Sequence, residues 1–246
     1  MPLSPVTPSV VGAAQLGYRS VITQAAVPEL ISPNTWERWR PQSASTTMLS
    51  NGGATVCDYI AIGAHTCAGV SLTVRTSETF GGSMVDRYSQ TPDNNSPIII
   101  DLANVTVYEM EIEVGGACEI GIVYAGTLLD MERPIYGGHA PLALNKKTTY
   151  QSNMSESGQF LGRQIIRKGS EAEFSWSNLT ADWVRNTLSD FIESARAMPF
   201  FIRWRPDIYS SEVSFGHTVG DIRALNQGGG TDLMSVRMKM RAHSDL

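Results

Sequence analysis

The sequence predicts a mainly β chain in two parts. A β-sandwich covers residues 36–130, and an α+β domain with an antiparallel sheet and one packed helix covers 131–246. Three observations point there. Short runs of alternating apolar and polar residues recur between glycine, proline and asparagine clusters, the period and punctuation of half-buried strands. One late stretch carries apolar residues at helical spacing. The charge also divides near residue 130, with 5 basic against 12 acidic groups before it (net −7) and 14 against 12 after it (net +2).

Residues 1–35 carry prolines at 2, 5, 8, 28 and 33. Each removes a backbone donor and disfavours helix at the residue before it, so this stretch reads as an extended arm that clasps a neighbour. From Trp36 the pattern turns to β. Val70, Leu72 and Val74 alternate with Ser71, Thr73 and Arg75, after Tyr59-Ile60-Ala61-Ile62. Ile98 to Ile100 and Ile120 to Tyr124 read as further strands. In Tyr108 to Val114, Tyr108, Met110, Ile112 and Val114 take one face, and Glu109, Glu111 and Glu113 the other. Turns are expected at Asn51-Gly52-Gly53, Gly81-Gly82, Pro92 to Asn95 and Gly115-Gly116, a sandwich's spacing.

In the second half, Trp183, Val184, Leu188, Phe191, Ile192 and Ala195 form one stripe of a helix over 180–197. Thr180 suits its N-cap, Asp182 its first turn, and Arg196 and Pro199 its end. Leu179 and Val184 have the spacing of a hydrophobic staple. Strands are expected at Glu171 to Trp176, Pro199 to Arg205 and Met234 to Met240, with Gly228-Gly229-Gly230 turning into the last. A helix flanked by strands in this order argues for an α+β unit.

Composition removes several classes. With 42% apolar and 17% charged residues in 246, and a net charge of −5, the chain is neither disordered nor a nucleic-acid-coating protein. No stretch approaches the roughly 18 apolar residues of a spanning helix, so no membrane role is expected. The N-terminus lacks the basic and apolar regions of a secretion signal, which points to synthesis in a cytoplasm. Cys57, Cys67 and Cys118 are odd in number and match no zinc spacing. They read as buried thiols, with a Cys57–Cys67 bridge open if their strands pair. Charged content falls below the ~25% of soluble domains, as when subunits rather than water cover the surface.

No catalytic, cofactor or metal site is expected, and the chain is not read as an enzyme. The glutamate row is weighed as a carboxylate pair, since alternate strand residues lie ~6.6–6.8 Å apart, within the glycosidase range. A regular row on one strand is more simply a solvated face. There is no G-x-S-x-G elbow, no P-loop and no dinucleotide fingerprint. Arg237, Lys239 and Arg241, with Arg203 and Arg205, make candidate assembly contacts, against the plainer reading of an edge strand guarded by charge. Trp36, Trp39, Tyr59, Tyr88, Tyr108 and Tyr124 are core residues or, where exposed, platforms for sugar rings.

Leu128-Leu129-Asp130-Met131-Glu132-Arg133-Pro134-Ile135-Tyr136-Gly137-Gly138-His139 is followed by Ser155-Glu156-Ser157-Gly158-Gln159-Phe160-Leu161-Gly162-Arg163. The strand, the helix and Pro199-Phe200-Phe201-Ile202-Arg203-Trp204-Arg205-Pro206 come next. Over about residues 128–243 this order resembles the distal and minor tail proteins of tailed bacteriophages. Asp58 to Thr76 and Ile98 to Tyr124 are similar to galactose-binding-like β-sandwiches. The resemblance implies a virion component assembled in the host cytoplasm. It would form a ring, expected as a hexamer with a trimer as the alternative, joining tail tube to tip and contacting tube and tip or hub proteins. DNA would pass the lumen at most transiently. The alternative is a module of the tail that binds host-surface carbohydrate.

Overall fold

The computed structural model describes residues 11–135, 137–228 and 232–243. Among these residues fifteen strands and one helix make a mainly antiparallel β structure, as the patterning predicts. They make three sheets.

The N-terminal sandwich is one curled sheet. Its spine is β3 (Ser45–Gly63) paired with β6 (Ile98–Val114). Both strands are too long to stay flat. Their pairing shifts register between Ser50 and Thr55 and again between Cys57 and Tyr59. Such bulges bend a strand and raise its twist, so the ribbon folds back over itself. One layer holds β2 (Gln24–Ala25), the first half of β3, the second half of β6, β4 (Leu72–Ser77) and β5 (Val85–Gln90). The other holds the rest of β3 and β6 with β7 (Ile122–Gly126). Leu49, Leu72, Val74, Met110 and Ile112 of the first layer meet Ile60, Ile62, Ile100 and Val123 of the second in one buried core.

The second sheet runs β11-β15-β13-β12-β1-β8, with β14 on β15. These are β1 (Ala13–Gly17), β8 (Leu129–Pro134), β11 (Ser170–Thr180), β12 (Phe200–Arg203), β13 (Val213–Thr218), β14 (Arg223–Asn226) and β15 (Leu233–Ala242). The arm expectation is corrected here. Residues 1–10 lie outside the described part, but Ala13–Gly17 is an interior strand between β12 and β8, with Ala13, Ala14 and Leu16 buried. Pro28–Ile31 is one 3-10 turn at the sandwich, with Leu30 in its core. Residues 129–134 belong to the second sheet, so the chain crosses to it just before the charge divide.

The helix runs as Ala181–Trp183, a π turn Val184–Leu188, and Ser189–Ala197. Val184, Leu188, Phe191 and Ala195 pack on Leu16, Phe174, Trp176, Phe200 and Met238. Thr180 starts the helix without capping it. Its hydroxyl donates to Glu132 Oε1 at 2.8 Å and its N–H to Oε2 at 2.7 Å, tying the helix start to β8. Of the expected glycine turn into β15, Gly229 and Gly230 lie outside the described residues.

The third sheet, absent from the sequence reading, is a hairpin of β9 (Thr149–Met154) and β10 (Phe160–Arg167).

The two main sheets pack on each other. On β12, Phe200 and Ile202 face the helix, while Phe201 and Arg203 face the sandwich. Phe201, Val213 and Phe215 interlock with Tyr59, Ala61, Ile122 and Tyr124 on the outer face of the sandwich. Tyr124 meets both phenylalanine rings edge-on, at centroid distances of 5.4 and 6.2 Å.

Candidate functional site

The glutamate row is held by structure. Arg75 bridges Glu111, Glu113 (2.7 Å) and, from its Nε, Asp86 (2.7 Å), while Glu109 accepts from the Gly81 N–H at 2.7 Å. A cation lying across two of three carboxylates makes this a structural ion network on the outer face, with no pair free to flank a substrate.

Of the five candidate assembly contacts, Arg237, Lys239 and Arg241 share the exposed face of β15, while Arg203 is buried. Arg203 is 3% exposed, and it donates to Asp101 at 2.6 and 3.0 Å and to Gln15 at 2.5 and 3.2 Å. It fastens the sandwich to β1, so it is committed within the chain. Arg205 lies beside Asp207 at 3.6 Å. Lys239 and Arg241, with Lys147, surround Glu171 at 2.6, 3.2 and 2.6 Å. The three cations, Lys147 and Lys239 foremost, draw the Glu171 carboxyl down to about 2. The connection before β9 is thereby clamped to β11, with Asn145 also donating to the Glu171 carbonyl. Arg237 is exposed and lies directly across from Arg223 on β14.

The concave polar feature of the sandwich lies at one loop end. Three connections meet there, β3–β4 (64–71), β5–β6 (91–97) and β6–β7 (115–121), joined by the segment before β3. That segment is bridged in by Trp39 against Ile120. The result is a cavity of about 360 Å³ lined by Arg38, Arg40, Gln42, His65, Asn95 and Glu119 among others. Glu119 organises it, accepting from Arg38 at 3.0 Å and Arg40 at 3.3 Å. His65 is buried, with Nε2 2.7 Å from the Ser96 carbonyl, and burial pulls its pKa below the usual histidine value. Asn95 Oδ1 accepts from the Ala68 N–H at 3.0 Å, closing the rim. Trp36, on the short segment that supplies both arginines, is 81% exposed.

Arg38 also lines a second, larger cavity of about 1080 Å³. Trp36, Ile166, Met198, Phe215 and His243 share its walls, where sandwich, helix end and hairpin come together. Above it the hairpin exposes Tyr150, Met154, Phe160, Leu161, Ile165 and Ile166, at 43–65%. Arg163 lies 3.2 Å over the Tyr150 ring.

Sequence reasoning named Trp36 as an aromatic candidate but missed the loop cavity, because its walls come from four separate segments. The hairpin was missed because β9 carries only Tyr150 and Met154 among polar residues, with no strand-like alternation. Among the described residues no His, Cys, Asp and Glu group could hold a metal, and no helix is long and apolar enough to cross a membrane.

No family model and no curated protein matches the chain. Solved structures do. A pectin-binding carbohydrate-binding module aligns at TM-score 0.38 and 10% identity over 44% of this chain and 91% of its own. A chitosan-binding module from a Paenibacillus sp. IK-5 chitosanase/glucanase aligns at 0.37 and 10%, over 47% and 95%. The CBM32 of AlyQ, in complex with 4,5-unsaturated mannuronic acid, aligns at 0.37 and 17%, over 44% and 96%. Each is similar to less than half of this chain, and these values carry no inference about a ligand.

Proposed function

We propose that this chain is a glycan-binding protein whose N-terminal sandwich takes a sugar unit at its loop end. In this reading the second domain is the mount, and no reaction is catalysed. The observation that carries it is the polar cavity of about 360 Å³ at the loop end, with the exposed Trp36 two residues along the chain from its Arg38 wall. A sugar ring has hydroxyl edges that need hydrogen bonds and C–H faces that need an apolar plane. Ligand sites of this volume combine a few fixed polar groups with aromatic walls. Arg40 uses one donor on Glu119 and keeps its other N–H groups for hydroxyls, since a guanidinium carries five. The Glu119 bridges hold both arginines in place before a ligand arrives, which lowers the ordering cost of binding.

The full chain on an array of bacterial and plant polysaccharides tests this. A bound glycan is expected, with Trp36→Ala and Arg40→Ala each weakening binding about tenfold and leaving the unfolding temperature unchanged. Retention of no glycan by the wild-type chain would sink the reading.

A second reading rests on the hairpin. Six large apolar side chains exposed on two strands suit a protein contact, since a lone two-stranded hairpin is marginal in water. Self-assembly as a ring of a phage tail accommodates this, with the sandwich directed to host glycans and the protein residing in the virion. Mass measurement in solution tests it. Six or three copies support the ring, and a monomer at all concentrations removes it.

A further inference from the structure

The sequence left open a bridge between Cys57 and Cys67. The fold instead brings Cys67 beside Cys118, with Cys67 Sγ 4.0 Å from the carbonyl of Glu119, the residue after Cys118. The two segments are held side by side from both directions. The Thr66 N–H donates to the Glu119 carbonyl at 2.9 Å, and the Glu119 N–H donates to the Thr66 hydroxyl at 2.9 Å. Cys67 is fully buried. Cys118 keeps 7% of its surface and lines the loop-end cavity with Arg38 and Arg40. Cys57 sits apart within β3 beside the carbonyl of Thr55, and burial pushes its thiol up to about 11.

We propose that Cys67 and Cys118 are an oxidisable dithiol whose disulfide locks one wall of the loop-end cavity. The proposal is independent of what the cavity binds. Cys118 is the attacking sulfur: it is the one reached from the cavity, and the neighbouring Cys67 thiol holds its own below the usual value. With oxidised glutathione as the oxidant, the Cys118 thiolate attacks one glutathione sulfur, and the glutathione S–S bond breaks. The first glutathione leaves as a thiolate and takes up the proton that Cys118 released. Cys67 then gives up its proton, and its sulfur attacks the Cys118 sulfur of the mixed disulfide. The protein S–S bond forms and the second glutathione leaves as a thiol. The protein loses two electrons, and one glutathione disulfide becomes two thiols.

The joined wall closes a chain loop between residues 67 and 118. Restricting a loop of that length in the unfolded chain raises the unfolding temperature by roughly 4–16 °C.

The experiment uses the full chain, reduced, desalted and incubated without denaturant with excess oxidised glutathione. Remaining thiols are alkylated after unfolding, and the digest is mapped by mass spectrometry. The expected result is one intramolecular link joining the Cys67 and Cys118 peptides, with Cys57 alkylated and the unfolding temperature raised. Cys57→Ser keeps both effects, and Cys118→Ser loses both. Three results overturn the proposal: Cys118 halted as a stable glutathione adduct with Cys67 alkylated, a link to Cys57, or two native thiols that resist oxidation altogether. Should Cys118→Ser fail to fold, the wild-type peptide map decides alone.

Discussion

Two apolar surfaces of the α+β half have opposite fates. Phe201, Val213 and Phe215 lie against Tyr59, Ile122 and Tyr124 of the sandwich, and all six are nearly inaccessible. Phe160, Leu161, Ile165 and Ile166 on the hairpin are at least 48% exposed. The residue types are similar, so apolar content alone does not separate a domain joint from an open contact surface. The difference lies in the border. Beside the covered face, Arg203 reaches across to Asp101 and Gln15, which sets the angle at which the sandwich docks. Among the described residues the hairpin strands pair only with each other, and the Lys147 bridge to Glu171 lies at its base rather than beside its apolar face.

The largest expected effect breaks the covered side. Phe201→Ala removes a fully buried ring from the joint and should cost about 3–5 kcal/mol in urea unfolding. A loss below about 1 kcal/mol would show that the two sheets do not depend on each other. Asp101→Asn should cost less, about 1–2 kcal/mol, because it weakens the charge-assisted bonds to a buried guanidinium while the Asp101 side chain is 64% exposed and screened. Ile166→Lys on the open side should change stability by no more than about 0.5 kcal/mol. If the hairpin is a contact surface, that variant still abolishes assembly.

The smallest effect is a pH dependence at the rims. Burial lowers the pKa of His65, and burial with the Arg38 charge lowers that of His243. The unfolded chain therefore takes up protons first as pH falls. The contribution of these two groups is fully present above the unfolded histidine value of about 6.5 and declines below it. The unfolding temperature should drop from pH 7.5 to 5, and less so in His65→Asn. An unchanged profile in that variant would mean that His65 is not the titrating group. Glu171, held near 2, should add a loss only below about pH 4.5.

Much of the fold was legible from local pattern. The alternation over Tyr108 to Val114 appears as a strand with Met110, Ile112 and Val114 inward, and the stripe from Val184 to Ala195 as the helix face in the core. Period and punctuation are properties of consecutive residues, so one chain suffices to read them. Ala13–Gly17 shows the limit. Its five residues include two alanines and a glycine, and they become a strand because a gap between β12 and β8 awaits one. Likewise Arg203 looked like a surface cation, because its burial depends on Asp101, 102 positions away.

The sequence by itself determined the β character, the one helix, the uneven charge and the loops at Gly81-Gly82, Pro92 to Asn95 and Gly115-Gly116, all set by local propensity and spacing. The expected turn at Asn51-Gly52-Gly53 is instead a bulged stretch inside β3. Only the tertiary structure decided that β3 and β6 fold one sheet into two layers, that Cys67 meets Cys118, and that four separate segments enclose a polar cavity around Glu119. Those features join residues distant along the chain, and their proximity exists only once the buried apolar faces have brought the strands together.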